Sequence, residues 1–494
     1  MPGPALAEES MDITLINPPE RLRVWAGIPK AHAHGVYCFP PLGLMYIQAA
    51  VEKRSGYVAE ICDPVVDDMD YPEFEEMLKR YPLDLVGIST YTHSLPDVQM
   101  TMNLVRKLSP NAKIILGGPH CAMFPDYAIQ LDGADAILTG DGEDAFLEIA
   151  QAYDAGKDFD GIQGVWWKSS DGQIVKNAER KSTKDLSSYP WPDRSRSRYK
   201  DYYLPGTKEP ICTTAVTSRG CPHSCPFCLT YKKQYRIRDI DDILDEIEHC
   251  MSIGITGVHF IDDLFTPNSQ WALKFCDGID RRGIKGFKWG YKTTIAGTTR
   301  EQIRRCGETG CNKIHFGVES ANNEGLDSFG KHCDTDDVHR VFKWCREEGV
   351  RSVAYIMLAG PHERTLDDAV SNVEEMLKLD ADFAVFAVFS PYPGTDSFAE
   401  GAKMGLYEAD CWDRMMKDPL CGVEVPVCWE EHLDRDEILE LLKIAHRKFY
   451  MRPKFVARQI LGLSTASEFK RLTMGALSLA KLELLNAKSR TAPV

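Results

Sequence analysis

The first part of the chain, up to about residue 150, alternates short apolar runs with stretches of helical periodicity. This alternation predicts parallel strands joined by crossover helices. The predicted strands are residues 13–17, 85–89, 114–116 and 136–138. Each ends in small or turn-forming residues, as in Gly117-Gly118-Pro119-His120 and Thr139-Gly140-Asp141-Gly142. Because ligands of open α/β sheets bind beyond the carboxyl ends of the strands, these turns are expected to line one crevice.

The pattern changes over residues 156–210, where prolines and few periodic apolar positions predict a linker. Alternation then resumes, with strands predicted at 214–218, 257–261, 290–293, 313–318, 352–358 and 383–389. About six strand–helix units indicate a partial barrel with its site at the strands' carboxyl ends. The predicted α/β organisation is a doubly wound, Rossmann-like domain (1–155), a linker (156–210), a partial (β/α)6 TIM-type barrel (211–400) and a helical C-terminal domain (401–494).

Composition narrows the functional classes. Lys and Arg number 58 against 73 Asp and Glu, and the net charge of -15 disfavours a broad nucleic-acid surface. No apolar run approaches the ~20 residues of a membrane span, and residues 1–10 lack the apolar stretch of a secretory signal. The 16 cysteines are scattered except for one cluster, which indicates a reducing compartment. We therefore expect a cytoplasmic protein without a transmembrane segment.

The cysteine cluster is the most specific chemical signal. Cys221, Cys225 and Cys228 form a CxxxCxxC loop directly after a predicted strand. Three thiolates on a short loop can hold three irons of a 4Fe–4S cluster and leave the fourth iron open to another ligand. The alternative is a zinc site, with His223 as a conceivable fourth ligand, but structural zinc usually has paired CxxC spacing. The spacing favours the iron–sulfur cluster.

The chain resembles radical S-adenosylmethionine (SAM) enzymes, and in particular the cobalamin-dependent branch that includes the anaerobic magnesium-protoporphyrin monomethyl ester cyclase and the hopanoid methylases. The resemblance covers most of residues 11–460. It is carried by these segments, given by number: 17–19, 41–44, 117–120, 140–143, 218–228, 260–266, 316–320, 391–395 and 449–453. It implies a 4Fe–4S cluster, SAM and cobalamin as cofactors, and an external electron donor of the flavodoxin or ferredoxin type.

The resemblance also implies roles for residues of the barrel. Phe227, before the last cysteine, matches an aromatic residue that lies near the adenine of SAM. Asp262 and Asp263 end a predicted strand beside the cofactor. Since adjacent side chains of a strand point to opposite sides, only one of the two can enter the cleft, and helix capping by Asp263 is the alternative.

Three further residues are candidate SAM contacts. Glu319 and Ser320 end a predicted strand at the position that the family uses to bind the ribose and methionine portions of SAM. Thr293 is a candidate by position alone. The turn at Leu358-Ala359-Gly360 resembles a late glycine turn of the family, but its pattern is imperfect.

The N-terminal domain resembles a cobalamin-binding sheet with one departure. No DxHxxG sequence occurs in residues 1–150, so the histidine that replaces the lower cobalt ligand in many cobalamin proteins is absent. Of the histidines, only His93 and His120 lie near the predicted crevice. The candidate cobalamin-binding residues are Gly117, Gly118, His120, Gly140 and Gly142, with the glycines as a backbone floor.

The implied chemistry is methylation of an unactivated carbon through a 5′-deoxyadenosyl radical. Cyclisation or rearrangement without methyl transfer is the first alternative. Methylthiotransfer to transfer RNA, and a non-catalytic corrinoid-binding protein, are further alternatives. The sequence assigns no residue a catalytic role.

The substrate is predicted from weaker signals. Residues 436–460 form an apolar helical face followed by basic residues, which suits either packing on the barrel or peripheral contact with an anionic membrane. Aromatic residues such as Trp166, Trp289, Tyr355 and Phe389 suit an apolar pocket or the core. A small-molecule substrate of lipid or tetrapyrrole type ranks first, and no nucleic-acid partner is expected.

Overall fold

The computed structural model describes residues 12–22, 39–202, 211–230, 234–266, 268–421 and 428–461. Two compact units divide the chain. The first takes in residues 1–24, 40–201 and 410–425, and the second takes in 25–39, 202–409 and 426–494. Among the helices described, none is long and apolar enough to span a bilayer.

The first unit contains a seven-stranded sheet in the order β2-β1-β3-β4-β5-β6-β7. The first five strands of this order run parallel, whereas β6 and β7 are antiparallel to their neighbours. The strands are β1 Asp12–Ile16, β2 Val58–Cys62, β3 Leu85–Ser89, β4 Lys113–Gly117, β5 Ala136–Leu138, β6 Val165–Lys168 and β7 Ile174–Lys176. The doubly wound class predicted for this part is confirmed.

Seven described helices belong to the same unit, six of them before residue 155 and one, Asp413–Lys417, later in the chain, and the signals that start and end them are local. Asp70 caps one of them through the backbone N–H of Glu73, and Gly56 ends another in the left-handed conformation. The six before residue 155 are α1 Leu42–Ser55, α2 Tyr71–Leu78, α3 Leu95–Leu108, α4 Pro119–Met123, α5 Pro125–Ala128 and α6 Gly142–Asp154, with 3₁₀ turns at Thr92–Ser94, Leu186–Ser188 and Arg194–Arg196.

One prediction for this region was wrong, and one strand was missed. The predicted linker contains β6 and β7, which extend the sheet as an antiparallel hairpin through a turn at Gly172. Trp167 is buried against the sheet, so this segment has its own apolar side despite its short length. The edge strand β2 was missed because the exposed Glu60 interrupts its apolar pattern.

The second unit is built on six parallel strands in the order β15-β14-β13-β12-β11-β8. This arrangement confirms the predicted partial barrel. The strands are β8 Cys212–Ala215, β11 Gly257–Phe260, β12 Lys288–Thr294, β13 Cys311–Glu319, β14 Arg351–Leu358 and β15 Phe383–Val388, and a small antiparallel pair is formed by β9 Ser218–Arg219 and β10 Arg236–Ile237.

The helices of the second unit cover one face of this sheet. Their apolar sides pack on alternate strand residues such as Phe260, Tyr291 and Phe316, which form the main core. The remaining helices are α7 Ile240–Ser252, α8 Ser269–Arg282, α9 Arg300–Glu308, α10 Asn323–Ser328, α11 Thr335–Glu347, α12 Leu366–Lys378, α13 Asp396–Met404, α14 Asp413–Lys417 (in the first unit), α15 Arg435–Tyr450 and α16 Pro453–Leu461.

The C-terminal helices do not form a separate domain in the described residues. The apolar face of α15, with Leu441 and Phe449, is buried in the barrel core. The basic side chains Lys448 and Lys454 pair with Glu374 and Asp380 at 2.6 Å. Packing of α15 on the barrel is therefore confirmed, and its apolar face is not free to contact a membrane. Residues 462–494 lie outside the described part of the chain.

Substitution of Gly118 tests the turn after β4. Gly118 has φ +113°, and a Cβ there would lie 2.8 Å from the carbonyl oxygen of Thr90. We expect Gly118→Ala to lower the free energy of unfolding by about 2 kcal/mol, because the left-handed backbone and the close carbonyl both oppose a side chain. Gly140→Ala is the control, since a Cβ at Gly140 meets nothing within 4 Å. Equal stability of the two variants by chemical denaturation would contradict this account.

Candidate functional site

The predicted cluster loop follows β8 and β9 at the carboxyl end of the half-barrel. Cys221, Cys225 and Cys228 are free and half-buried. Burial raises the pKa of the Cys221 and Cys225 thiols, and the neighbouring cysteines of the loop add to the rise. The backbone N–H of Cys228 donates to the carbonyl of Cys225 at 3.0 Å. The loop is also tied to the start of α13, where Ser397 N–H donates to the carbonyl of Pro226 at 3.0 Å.

A buried carboxylate holds the base of this loop. One oxygen of Asp262, Oδ1, accepts hydrogen bonds from the backbone N–H (2.7 Å) and hydroxyl (2.9 Å) of Thr217 and from the backbone N–H and hydroxyl (2.8 Å) of Ser218. Its other oxygen, Oδ2, is buried without a hydrogen-bond partner. Burial raises the pKa of Asp262 to about 6, although these hydrogen bonds favour the carboxylate. Asp262 thus connects the end of β11 to the residues that lead into the cysteines.

The two adjacent aspartates have different positions. Asp262 is buried toward the loop, whereas Asp263 is exposed. Helix capping by Asp263 is wrong, because Asn268 caps α8 through the N–H of Trp271. Asp263 nevertheless lies near enough to Cys221 to disfavour its thiolate.

Glu319 and Lys331 form a partly buried ion pair beside the loop. Glu319 has φ +68°, a conformation that few non-glycine residues adopt, and its Oε1 lies 2.9 Å from the ammonium of Lys331. Burial lowers the pKa of Lys331, but the nearby negative charges of Glu319 and Cys225 have the larger effect, so the pKa of Lys331 is raised. The ammonium lies 5.6 Å from the ring centroid of Phe227. Lys331 therefore places a positive charge at the edge of the predicted cluster site.

Ser320 belongs to a fully buried hydrogen-bond network. Its hydroxyl lies 3.1 Å from Nε2 of His362, and Asn372 donates to Glu363 at 2.7 Å. Glu363 also accepts from the backbone N–H of Ala359, at 2.5 Å. Because Ala359 has φ +59°, this carboxylate stabilises the imperfect glycine turn that follows β14. Ser320 thus supports two strand ends in the structure.

Phe227 begins a row of aromatic rings. Its ring meets that of Phe329 edge-on at 5.7 Å, and Phe389 lies 5.2 Å from Phe329 and 5.6 Å from Trp429. A cavity of about 550 Å³ opens beside these rings, lined among others by Pro226, Phe329, Phe389, Trp429 and His432. Thr293, by contrast, alternates with Lys292 and shares its face with the core residue Tyr291, so its side chain lies on the helix-covered side.

The first unit brings the predicted glycine turns to one sheet edge. Thr90 N–H donates to the carbonyl of Gly117 at 2.7 Å, which joins the ends of β3 and β4. Gly140 is exposed and has open space around it. A Cβ at Gly142 would lie 3.1 Å from the side chain of Ile47, so this residue faces the packed interior.

His120 is fully buried at the same edge. Its Nδ1 lies 3.1 Å from the hydroxyl of Thr92, and its Nε2 has no partner. Burial lowers its pKa to about 4, so the ring is neutral at physiological pH. His93 stacks on Tyr91 with ring centroids 5.4 Å apart.

Comparison with protein families identifies both units. Residues 31–150 match the B12 binding domain, and residues 215–372 match the radical SAM superfamily. The open turns at Gly117 and Gly140 fall in the first match, and the cysteine loop falls in the second. The predicted combination of these two domains is confirmed.

Relatives match over most of the chain. An uncharacterized methyltransferase of Pyrococcus horikoshii is 26% identical over 85% of this chain and 90% of its own length. The anaerobic magnesium-protoporphyrin IX monomethyl ester cyclase of Rubrivivax gelatinosus is 25% identical over 87% of this chain and 77% of its own length.

Solved structures share the fold. The radical SAM methyltransferase TsrM from Kitasatospora setae, solved with cobalamin and a [4Fe-4S] cluster, superposes with a TM-score of 0.63 at 20% identity, covering 80% of this chain and 75% of that chain. The cobalamin-dependent radical enzyme OxsB, with aqua-cobalamin and SAM bound, gives a TM-score of 0.67 at 15% identity over 97% of this chain and 72% of that chain.

Sequence reasoning missed Lys331 and the Glu363–Asn372 pair. Both lie outside the strands, and their partners are brought together only by the fold. It also missed the polar residues that alternate along β11 to β13, although a count of every second residue would have placed His259, Lys313 and His315 on one face.

Removal of the Asp262 carboxylate is expected to release the cluster loop. Asp262→Ala leaves the N–H groups of Thr217 and Ser218 without an acceptor, at a cost of about 3 kcal/mol in the free energy of unfolding, and iron bound per chain should fall. Asp262→Asn is the matched control, because it keeps one oxygen acceptor.

The wild type and Asp262→Asn also give a test by pH. The unfolded carboxyl titrates near ~3.9 and the folded one at about 6, so the folded state holds the proton more tightly between these values. Stability of the wild type relative to Asp262→Asn should fall as the pH rises through this window and be constant above it. A difference that rises with pH in denaturation experiments would refute this assignment.

Proposed function

We propose that this chain, a member of the cobalamin-dependent radical SAM enzymes, is a methyltransferase that acts on an unactivated carbon of a small-molecule substrate. The observation that carries the proposal is the loop of three free cysteines at the carboxyl end of a six-stranded parallel half-barrel, in a chain that also has a B12 binding domain.

The residues present fit the cofactors. Three half-buried thiols leave one iron of a cluster without a protein ligand, and Asp262 and Pro226 hold the loop that carries them. The open space at Gly140 offers a flat backbone surface to a corrin. When bound, the cluster supplies an electron for the cleavage of SAM and the cobalamin carries the methyl group.

The side chains around the loop bind and orient SAM in this proposal. Phe227 provides an aromatic surface for adenine, and Asp263 lies on the exposed side of the strand end. The carboxylate of Glu319 suits hydroxyl or ammonium donors, with Lys331 balancing its charge. Ser320 and Thr293 act indirectly, since both side chains are buried away from open space.

The first unit binds cobalamin in this proposal through the backbone at Gly117, Gly118 and Gly140. Gly142 supports the turn from inside. His120 serves as a buried support, because its ring is fully covered and hydrogen-bonded to Thr92. His120 is therefore not proposed as a ligand of the cobalt.

We also propose a substrate class, an electron donor and a cellular location. The substrate has an apolar body of lipid or tetrapyrrole type, the electron donor is a flavodoxin or ferredoxin, and the protein works in the cytoplasm. A cyclisation or rearrangement is the second candidate, favoured by the cyclase relative. Methylthiotransfer is disfavoured, since the N-terminal match is to a B12 binding domain.

Products of SAM test the reaction without knowledge of the substrate. We expect the anaerobic, reduced holoenzyme to form both 5′-deoxyadenosine and S-adenosylhomocysteine, which is what remains when SAM gives up its methyl group. Formation of 5′-deoxyadenosine alone, measured by chromatography and mass spectrometry, would favour the rearrangement instead.

Cysteine variants test the cluster loop. Cys225→Ala and Cys228→Ala should lose most of the iron and reduce 5′-deoxyadenosine formation to background, because two thiolates leave two irons of a cubane without a protein ligand. Cys421→Ala, at an exposed cysteine in the first unit, is the control. Full iron content in either loop variant would exclude this site.

A bulky residue at Gly140 tests the cobalamin surface. Gly140→Val should bind less cobalt per chain while keeping wild-type stability, since a side chain there meets no protein atom. Cobalt is measured after purification with cobalamin supplied, and iron in the same sample serves as the internal reference. Unchanged cobalt would place the corrin elsewhere.

A further inference from the structure

The face of the half-barrel opposite its helix-packed core carries basic and imidazole side chains. His259 on β11 lies beside Gly290 on β12, which lies beside Lys313 on β13. Two residues closer to the carboxyl ends, Lys292 lies beside His315. Because alternate residues of a strand share a face, these side chains stand together on the inner face.

The imidazoles are in contact. The rings of His259 and His315 lie 4.6 Å apart, and Nδ1 of His315 lies 3.2 Å from the hydroxyl of Tyr355. Nε2 of His315 is buried without a hydrogen-bond partner. A Cβ at Gly290 would lie 2.9 Å from Nδ1 of His259, so glycine at this position leaves room for the imidazole.

The charge of this face is positive. Burial, with Lys313 and Lys292 nearby, lowers the pKa of both histidines well below the ordinary value, so they are neutral hydrogen-bonding groups at physiological pH. If the Tyr355 hydroxyl donates to Nδ1 of His315, its Nε2 carries a hydrogen that can be donated. The side chain of Lys292 makes no hydrogen bond or salt bridge with any described residue, whereas its backbone carbonyl accepts from the N–H of Phe265 at 3.1 Å. On the described strands, Glu319 is the sole carboxylate of this face, and it pairs with Lys331.

The same face becomes apolar toward β15. Val353 on β14 lies beside His315, and Val385 on β15 lies beside Tyr355. Val385 is 41% exposed, so its side chain faces open space. The inner face therefore joins a basic region to an apolar one.

We propose that this face binds an amphiphilic substrate whose anionic group, a carboxylate or a phosphate, is held by Lys292 and His315. Its apolar body lies along Val353 and Val385. The inference deepens the proposed function and rests on it, since it names the substrate class. From His315 to Glu319 at the strand end is four residues, or about 13 Å, which sets the span from the anion to the cofactor end.

The inference predicts a charge requirement in binding. Decanoate, decyl phosphate and decanol have the same alkyl chain and differ in the head group. Titration calorimetry with the anaerobic holoenzyme should show both anions binding at least about tenfold more tightly than decanol, since a charge-assisted hydrogen bond has this magnitude. If one of the two anions binds more tightly, its head group, carboxylate or phosphate, is the one that the substrate carries.

Variants locate the anion. Lys292→Met should remove the preference of the anions over decanol, Lys292→Arg should keep it, and Lys274→Met, at an exposed position of α8, should leave it unchanged. Equal binding of all three probes to the wild type, or an anion preference that survives Lys292→Met, would overturn the inference. Loss of binding to both Lys292 variants would also overturn it, because charge would then not be what is recognised.

Iron and cobalt are measured in the same samples. A wild type that lacks cobalt contradicts the proposed function, whereas the anion preference is read independently from the head-group comparison. The two failures are therefore distinguishable.

Discussion

One buried carboxylate connects the barrel to its cysteine loop. Asp262 places a single oxygen where two consecutive backbone N–H groups and two hydroxyls converge, so the end of β11 and the segment after β8 are held in one arrangement. Burial of this charge is costly, and the raised pKa reflects that cost. Three thiolates can bind one cluster only if their loop is held in a defined conformation, and this interaction supplies part of that constraint.

Because side chains alternate along each strand, the two faces of the barrel sheet have different roles. Residues such as Phe260, Tyr291 and Phe316 face the helices and form the core. The intervening residues, with His315 among them, face inward and carry the polar chemistry. The ion pair of Glu319 and Lys331 lies at the top of this inner face, beside the cysteine loop.

The sequence predicted the elements whose signals are local. The three cysteines lie within eight residues of each other, and each strand of the half-barrel has its own apolar run. It could not decide between Asp262 and Asp263, because their environments are set by Thr217 and Ser218, more than 40 residues away. Lys331 and Glu363 are close in sequence to their partners Glu319 and Ala359, but they lie outside the helices and strands, where no periodic pattern marks them. The hairpin of β6 and β7 was missed because strands of four and three residues give little periodicity.

The most direct measurement is the metal content of the protein purified without oxygen and with cobalamin supplied. Iron, acid-labile sulfide and cobalt are determined together with the visible spectrum. The account predicts about four irons and one corrin per chain. Iron without cobalt, under conditions where cobalamin is in excess, would contradict the claim that this chain joins the two cofactors.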